Sequence, residues 1–351
     1  MKKLIPVLLL LSLLVLVVLP ADLSGFGIPW TGFKRYIIFV LSLWLVTAVA
    51  AMGVNLIVGY AGQETLAQAA FLGIGAYTTA LMTKAGFTFI AAFLASGMLS
   101  FIIGILLGFP ALRVQKHYLA FVTLAVTVFA WLVFRNEEWL TGGVSGITGI
   151  PRPSLFGTSL KPALNFYWFV LAMTAVLTAG MWWLVQSPWG RAFTALRENS
   201  IRAESLGIDV RGYTLLAFAI GSAYGGFAGS LYAPLVEFID PGPFALAPSL
   251  LMLLMVVVGG MGTQVGPFIG AAVAVLLKDG LEVLQSSSPA LSHISYLLVY
   301  GFIVILLMAF CPTGIVGLWQ RIIAPARRPH ADITAPTLAS VGKSIGKEAK
   351  P

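Results

Sequence analysis

Residues 36–59 run YIIFVLSLWLVTAVAAMGVNLIVG, twenty-four positions without a formal charge. A bilayer hydrocarbon core about 30 Å thick is crossed by about 20 apolar residues in helix. Runs of this kind recur, and the recurrence constrains the fold more than any single residue does. Others lie at 4–19, 65–83, 86–109, 118–134, 165–186, 213–233, 246–262, 265–284 and 293–310. A transmembrane barrel would alternate apolar and polar positions in strands of about ten residues; these runs are continuous. Backbone groups in lipid must be satisfied within the element, so each run is expected to be helical. The fold class expected is an all-α polytopic membrane protein with about ten transmembrane helices. The run 65–83, TLAQAAFLGIGAYTTALMT, is the least apolar. It is expected either to cross or to be a broken, re-entrant element lining a path.

Charge agrees with that reading. Only 10% of the residues are charged and 59% are hydrophobic, against about 25% and 45–50% in a soluble domain. The net charge of +8 is not a nucleic-acid footprint, because no basic groove interleaved with aromatics is present. If the N-terminus is cytoplasmic and all ten runs cross, 14 of the 21 Lys and Arg fall inside and seven outside. This obeys the positive-inside rule. Both termini and the loop 187–212 are then cytoplasmic, and 135–164 forms a turn-rich outer cap. The start, MKKLIPVLLLLSLLVLVVLP, resembles a signal peptide but lacks a small-residue cleavage site, so an uncleaved first helix is expected. The organisation expected is a permease-like membrane domain over 1–320 and a disordered, basic cytoplasmic tail over 321–351.

Catalytic chemistry finds no foothold. Cys311 is the single cysteine; His117, His293 and His330 are far apart, and no metal-ligand spacing exists. The tail contains Gly342-Lys343-Ser344, but Thr337 stands where a P-loop needs glycine. No cofactor, metal or catalytic residue is expected, and any ATP used would be hydrolysed by another chain. No acid or base sits in the middle of a run, which argues against a proton-driven carrier.

Four features stand out. In 213–233, Ala217, Gly221, Gly225, Gly229 and Ala233 recur every four residues, forming a small-residue face for close helix packing. Phe218, off that stripe, is expected to face outward. Next, Asn55, Gln63, Glu64, Thr65 and Gln68 form a polar cluster at the end of the second run. It reads either as an interfacial turn or as path lining. The glycines of VVVGGMGTQVGPFIG, which separates the runs 246–262 and 265–284, read as a tight turn or a bend near a path. Finally, 190–213, GRAFTALRENSIRAESLGIDVRGY, concentrates charge between two apolar runs. Phe193 and Leu196 share a face, Asn199 or Ser200 suits a helix N-cap, and Gly207 suits a left-handed C-terminal position. Ile201 and Leu206, set among Arg202 and Glu204, suggest a helix that lies in a partner's groove. Topological anchoring alone would need only the basic residues.

The blocks GVNLIVGYAGQETLAQAAFLGIGAYTTAL, ALRENSIRAESLGIDVRGYTLLAFAIGSAYGGFAGSLYA, VVVGGMGTQVGPFIGA and CPTGIVGL, in that order over most of 36–319, resemble the permeases of branched-chain amino acid ABC importers, the LivM type. The resemblance implies the helical type II ABC importer fold, set in a bacterial inner membrane. The implied partners are two cytoplasmic ATPases, a second LivH-like permease and a periplasmic or lipid-anchored substrate-binding protein. It further implies a coupling helix over Arg197–Gly207, with Arg197, Glu198, Ile201, Ala203, Glu204, Leu206 and Gly207 as coupling residues. Asn55, Gln63, Glu64 and Gln68 become translocation-path candidates. Family members commonly read GQLSLGHAAF where this chain has GQETLAQAAF, so Glu64 and Gln68 replace an apolar residue and a histidine. They commonly carry Arg-Pro-x-Gly where this chain has Cys311-Pro312-Thr313-Gly314. The substrate is thus open among branched-chain amino acids, other amino acids, urea, short amides and aromatic acids. A secondary transporter working alone is the alternative from another class.

Overall fold

The structure is a computed structural model that describes residues 31–111, 116–155, 158–160 and 162–287, with 298–299, 301–302, 305 and 314–317. The run 4–19, most of 293–310 and the tail 321–351 lie outside the described residues. Long helices follow the apolar runs: α1 Thr31–Val54, α2 Gln68–Lys84, α3 Phe89–Ala111, α4 Lys116–Asn136 and α5 Ala163–Gln186. Two short helices, α6 Pro188–Glu198 and α7 Ser200–Ser205, precede α8 Val210–Val236, α9 Leu246–Gly259 and α10 Gly266–Ser287. Among the described residues, five stretches are long and apolar enough to cross a bilayer: Arg35–Tyr60, Phe89–Phe109, Leu119–Asn136, Ala163–Gln186 and Val210–Val236.

α8 is the hub, packing on α1, α2 and α3. Its small-residue stripe is what lets it sit there. Ala217, Gly221, Gly225, Gly229 and Ala233 are all buried. A Cβ on Gly221 would come within 2.5 Å of Ile57 Cδ1 and 2.7 Å of the Gly53 carbonyl, both belonging to the α1 segment. On Gly225 it would come within 2.8 Å of Phe71 Cβ. On Gly229 it would overlap the Leu72 carbonyl of α2. Buried polar groups fasten the same contacts: Thr79 Oγ1 donates to Ser230 Oγ at 2.7 Å, and Tyr224 Oη to the α5 carbonyl of Leu177 at 2.8 Å. Such bonds between helices stand in for the hydrophobic drive that lipid removes.

Phe218 corrects an expectation. It is 2% exposed, edge-on to Phe71 at 5.9 Å between ring centroids. The face beside the stripe is also covered, by α3, where Gly108 makes room for the Phe218 ring.

At one end of the bundle residues 137–155 and 158–160 form a small cap. Strand β1 Ile147–Thr148 pairs antiparallel with β4 Phe238–Ile239, and β2 Ser154–Leu155 with β3 Thr158–Ser159. Ile147 and Ile150 are buried beneath it, and Arg152 Nε pairs with Glu237 Oε1 at 2.6 Å. The turn-rich order read from Gly, Pro and Ser is present here.

Two runs are not simple crossings: 65–83, expected either to cross or to be broken, and 246–262, expected to cross. The run 65–83 becomes helical only at Gln68, and residues 61–67 ahead of it are unwound. The run 246–262 gives α9, which ends at Gly259 after 14 residues. That is about 21 Å of helix, short of the roughly 30 Å a straight crossing needs.

Candidate functional site

The loop 187–212 is built by local signals. Ser187 caps α6, its Oγ accepting from Trp189 N at 3.2 Å, with Pro188 in the first turn. Asn199 caps α7 through bonds from Ile201 N at 3.1 Å and Arg202 N at 3.0 Å. Gly207 follows α7 at φ 82°, a conformation costly for a side-chain-bearing residue. Asp209 then caps α8 through Arg211 N at 3.1 Å.

The loop has two faces. Phe193, Leu196 and Ala203 are buried against the bundle, with Phe193 edge-on to Tyr213 of α8 at 6.2 Å. Ile201 and Leu206 point away, 78% and 80% exposed, among exposed Glu198, Arg202 and Glu204. Both lie outside the five apolar spans, so lipid exposure of a spanning helix does not account for them.

Arg197 turns the other way. Its Nη1 donates to the Gly59 carbonyl, at the end of the π-helical turn Asn55–Tyr60 that continues α1. The unwound stretch that follows runs back into the bundle. Gln68, where α2 begins, donates through Nε2 to the carbonyls of Ala50 at 2.9 Å and Gly221 at 3.3 Å. Ala50 lies ten residues before Tyr60, about 15 Å along the helix at 1.5 Å per residue. The backbone of Leu66 is satisfied by side chains from two helices. Leu66 N donates to Thr123 Oγ1 at 3.1 Å, and its carbonyl accepts from Thr127 Oγ1 at 2.6 Å and from Ser249 Oγ. Ala69 N donates to Ser249 Oγ at 3.1 Å. Unwound backbone inside a membrane protein persists only where the protein meets its hydrogen-bonding needs or it lines a cavity.

Ser249 belongs to the first turn of the short α9. The two broken elements, 61–84 and 246–259, therefore meet inside the bundle. The turns that flank them meet as well. Asn55 Nδ2 donates to the Thr263 carbonyl at 2.8 Å, and Asn55 Oδ1 accepts from Gly262 N at 2.9 Å. This joins the π-helical turn to the turn after α9.

The polar cluster read from sequence thus separates into different environments. Asn55 is buried and clamps the α9–α10 turn. Gln63 and Gln68 are buried, Gln63 Nε2 donating to the Thr214 carbonyl at 3.3 Å. Their Oε1 atoms have no hydrogen-bond partner among the described residues. Glu64 is exposed. Sequence reasoning missed Thr123, Thr127 and Ser249; hydroxyls facing an interrupted neighbour are the only signal they carry.

The profile of the family described as branched-chain amino acid transport system / permease component matches residues 36–308. The high-affinity branched-chain amino acid transport system permease protein LivM of Escherichia coli is 31% identical over 306 residues, 80% of this chain and 70% of that protein. The probable branched-chain amino acid transport permease protein LivM of Methanocaldococcus jannaschii is 26% identical over 253 residues, 70% and 73% of the two chains. The autoinducer 2 import system permease protein LsrC of Salmonella paratyphi B is 24% identical over 240 residues, 66% and 67%. No solved structure matches. With the profile spanning most of its length, the chain belongs to the branched-chain amino acid transport system permease family and is a multi-pass membrane protein of that kind.

Proposed function

We propose that the chain is the permease subunit of an ATP-driven importer that passes branched-chain amino acids into the cytoplasm by alternating access. Two separate ATPases, a second LivH-like permease and a substrate-binding protein complete it. The bundle over 1–320 would be of the type II ABC importer kind, crossing the bacterial inner membrane about ten times with both termini cytoplasmic and a basic tail over 321–351. The observation that carries the ATP-driven reading is the exposure of Ile201 and Leu206 on a capped helical loop outside the spans. A carrier working alone has no use for an apolar docking face there. The path is placed where the broken elements meet, with Gln63 and Gln68 contributing unpartnered oxygens, Asn55 holding the frame and Glu64 at the exposed end. The likeness to an autoinducer 2 import permease supports a second reading, in which a different small polar solute is carried.

Vesicles holding the assembled complex should take up leucine, isoleucine or valine only with the binding protein outside and ATP inside. Uptake by this chain alone, driven by a proton gradient, would overturn the reading. Uptake of another small solute in preference to all three would select the second one. Topology has its own test. With Cys311 replaced by serine, Ser154→Cys should react with an impermeant thiol reagent on intact cells, and Ser200→Cys only after permeabilisation. The reverse pattern would invert the orientation.

A further inference from the structure

Arg197 closes α6, where the loop passes from its packed helix to its exposed one. Part of the side chain is in solvent, so water could satisfy its donors. Instead the guanidinium is held between two helix ends. One is the end of the α1 segment, whose Gly59 carbonyl it binds. The other is the turn after α9, where it lies against Gly262. Helix C-termini carry partial negative charge and attract a cation. The stem crosses Gly62, where a Cβ would come within 3.0 Å of Arg197 Cγ and 3.1 Å of its Cα. Gly62 and Gly262 have φ of 67° and 72°, so both positions call for glycine by conformation and by space. Gly62 opens the unwound stretch 61–67, and Gly262 lies just beyond the short α9. One side chain of the loop therefore grips the ends of both broken elements, and Asn55 ties those ends together. Phe193 of α6 also packs edge-on to Tyr213 of the hub α8.

We propose that Arg197 is the transmission residue of this permease. It carries displacement of the loop 187–212 to the 61–67 stretch and the α9–α10 turn together, from within the chain and without touching the ATPase. Arg197 is thus a positioning residue, distinct from the docking pair Ile201 and Leu206, on whose reading the proposal rests. A π-helical turn, a rare interruption of an α-helix that recurs at functional sites, is a suitable place to receive such a pull.

The test uses the whole complex in lipid vesicles. Arg197→Ala should co-purify with the ATPases as the unaltered chain does. The ratio of stimulated to unstimulated ATP hydrolysis, read with substrate-loaded binding protein, should fall about tenfold, the lower weight of a hydrogen bond to a charged group because the site is partly exposed. Arg197→Lys keeps a cation at the two helix ends and should recover part of the ratio. Gly262→Ala, which crowds the guanidinium from the other side, should uncouple with Arg197 in place. Loss of the ATPases from Arg197→Ala or Arg197→Lys would make Arg197 a docking residue and overturn the proposal. So would an unchanged ratio in Arg197→Ala, or, should that variant not fold, in both Arg197→Lys and Gly262→Ala. Leu206→Asp separates the two readings. If it too keeps the ATPases and full stimulation, the docking reading has failed; if it loses them while Arg197→Ala stays fully stimulated, only the transmission role has failed.

Discussion

Gly229→Leu is expected to leave no folded protein. A Cβ at 229 overlaps the Leu72 carbonyl and comes within 2.7 Å of Ala76 N, both α2 backbone. Adding methylenes to a packed core costs about 1–3 kcal/mol when neighbours can shift. Here the neighbour is a helix backbone held by the Thr79–Ser230 and Gln68–Gly221 bonds, so the cost should exceed that range. Gly225→Leu should be nearly as damaging, since its first contacts are Phe71 Cβ and Gln68 Nε2. Phe121→Leu, at a side chain 68% exposed on α4, should change nothing. Size exclusion in detergent reads all three variants. A monodisperse Gly229→Leu peak of normal height would mean that α8 does not pack on α2 through the stripe.

That stripe was legible because small residues at four-residue spacing have one geometric meaning in a membrane helix. Phe218 was misread for a related reason. In lipid both faces of a helix are apolar, so hydrophobic periodicity no longer marks the buried side. α8 begins three residues before its apolar run because Asp209 caps it, a local signal present in the sequence. The caps at Ser187 and Asn199 and the left-handed Gly207 were local in the same way. A break in 65–83 was one of two expectations, but the contacts that hold it are not local. Residues 65–67 are apolar enough to join a helix, and what unwinds them is hydrogen bonding from Thr123, Thr127 and Ser249, 57 to 183 positions away. Arg197 followed the same rule: its charge was plain, but the Gly59 carbonyl it binds is 138 residues away. Short-range chemistry was readable here, and contacts that depend on which helices become neighbours were not.

Leu206→Asp is expected to uncouple transport while leaving the fold intact. Leu206 and Ile201 are 80% and 78% exposed, so a carboxylate at either position removes no internal contact. Membrane insertion, size-exclusion behaviour and thermal midpoint should match the unaltered chain. In the assembled transporter the outcome reverses. Burying a side chain of this size in a partner's groove is worth about 1.5–3 kcal/mol, and an unpaired carboxylate in an apolar site adds a further cost. Each substitution should therefore weaken ATPase attachment by more than about tenfold, at 1.4 kcal/mol per decade. The pair together should abolish uptake and binding-protein-stimulated hydrolysis. Ala203→Asp is the instructive contrast. Ala203 is 2% exposed on the buried face of α7, so a carboxylate there would disrupt the loop itself and lower the thermal midpoint. A loop that only anchors topology would give the opposite ranking, tolerating Leu206→Asp and responding to neutralisation of Arg191, Arg202 and Arg211. Full stimulated hydrolysis and uptake in the Ile201→Asp/Leu206→Asp double variant would leave the loop with that anchoring role.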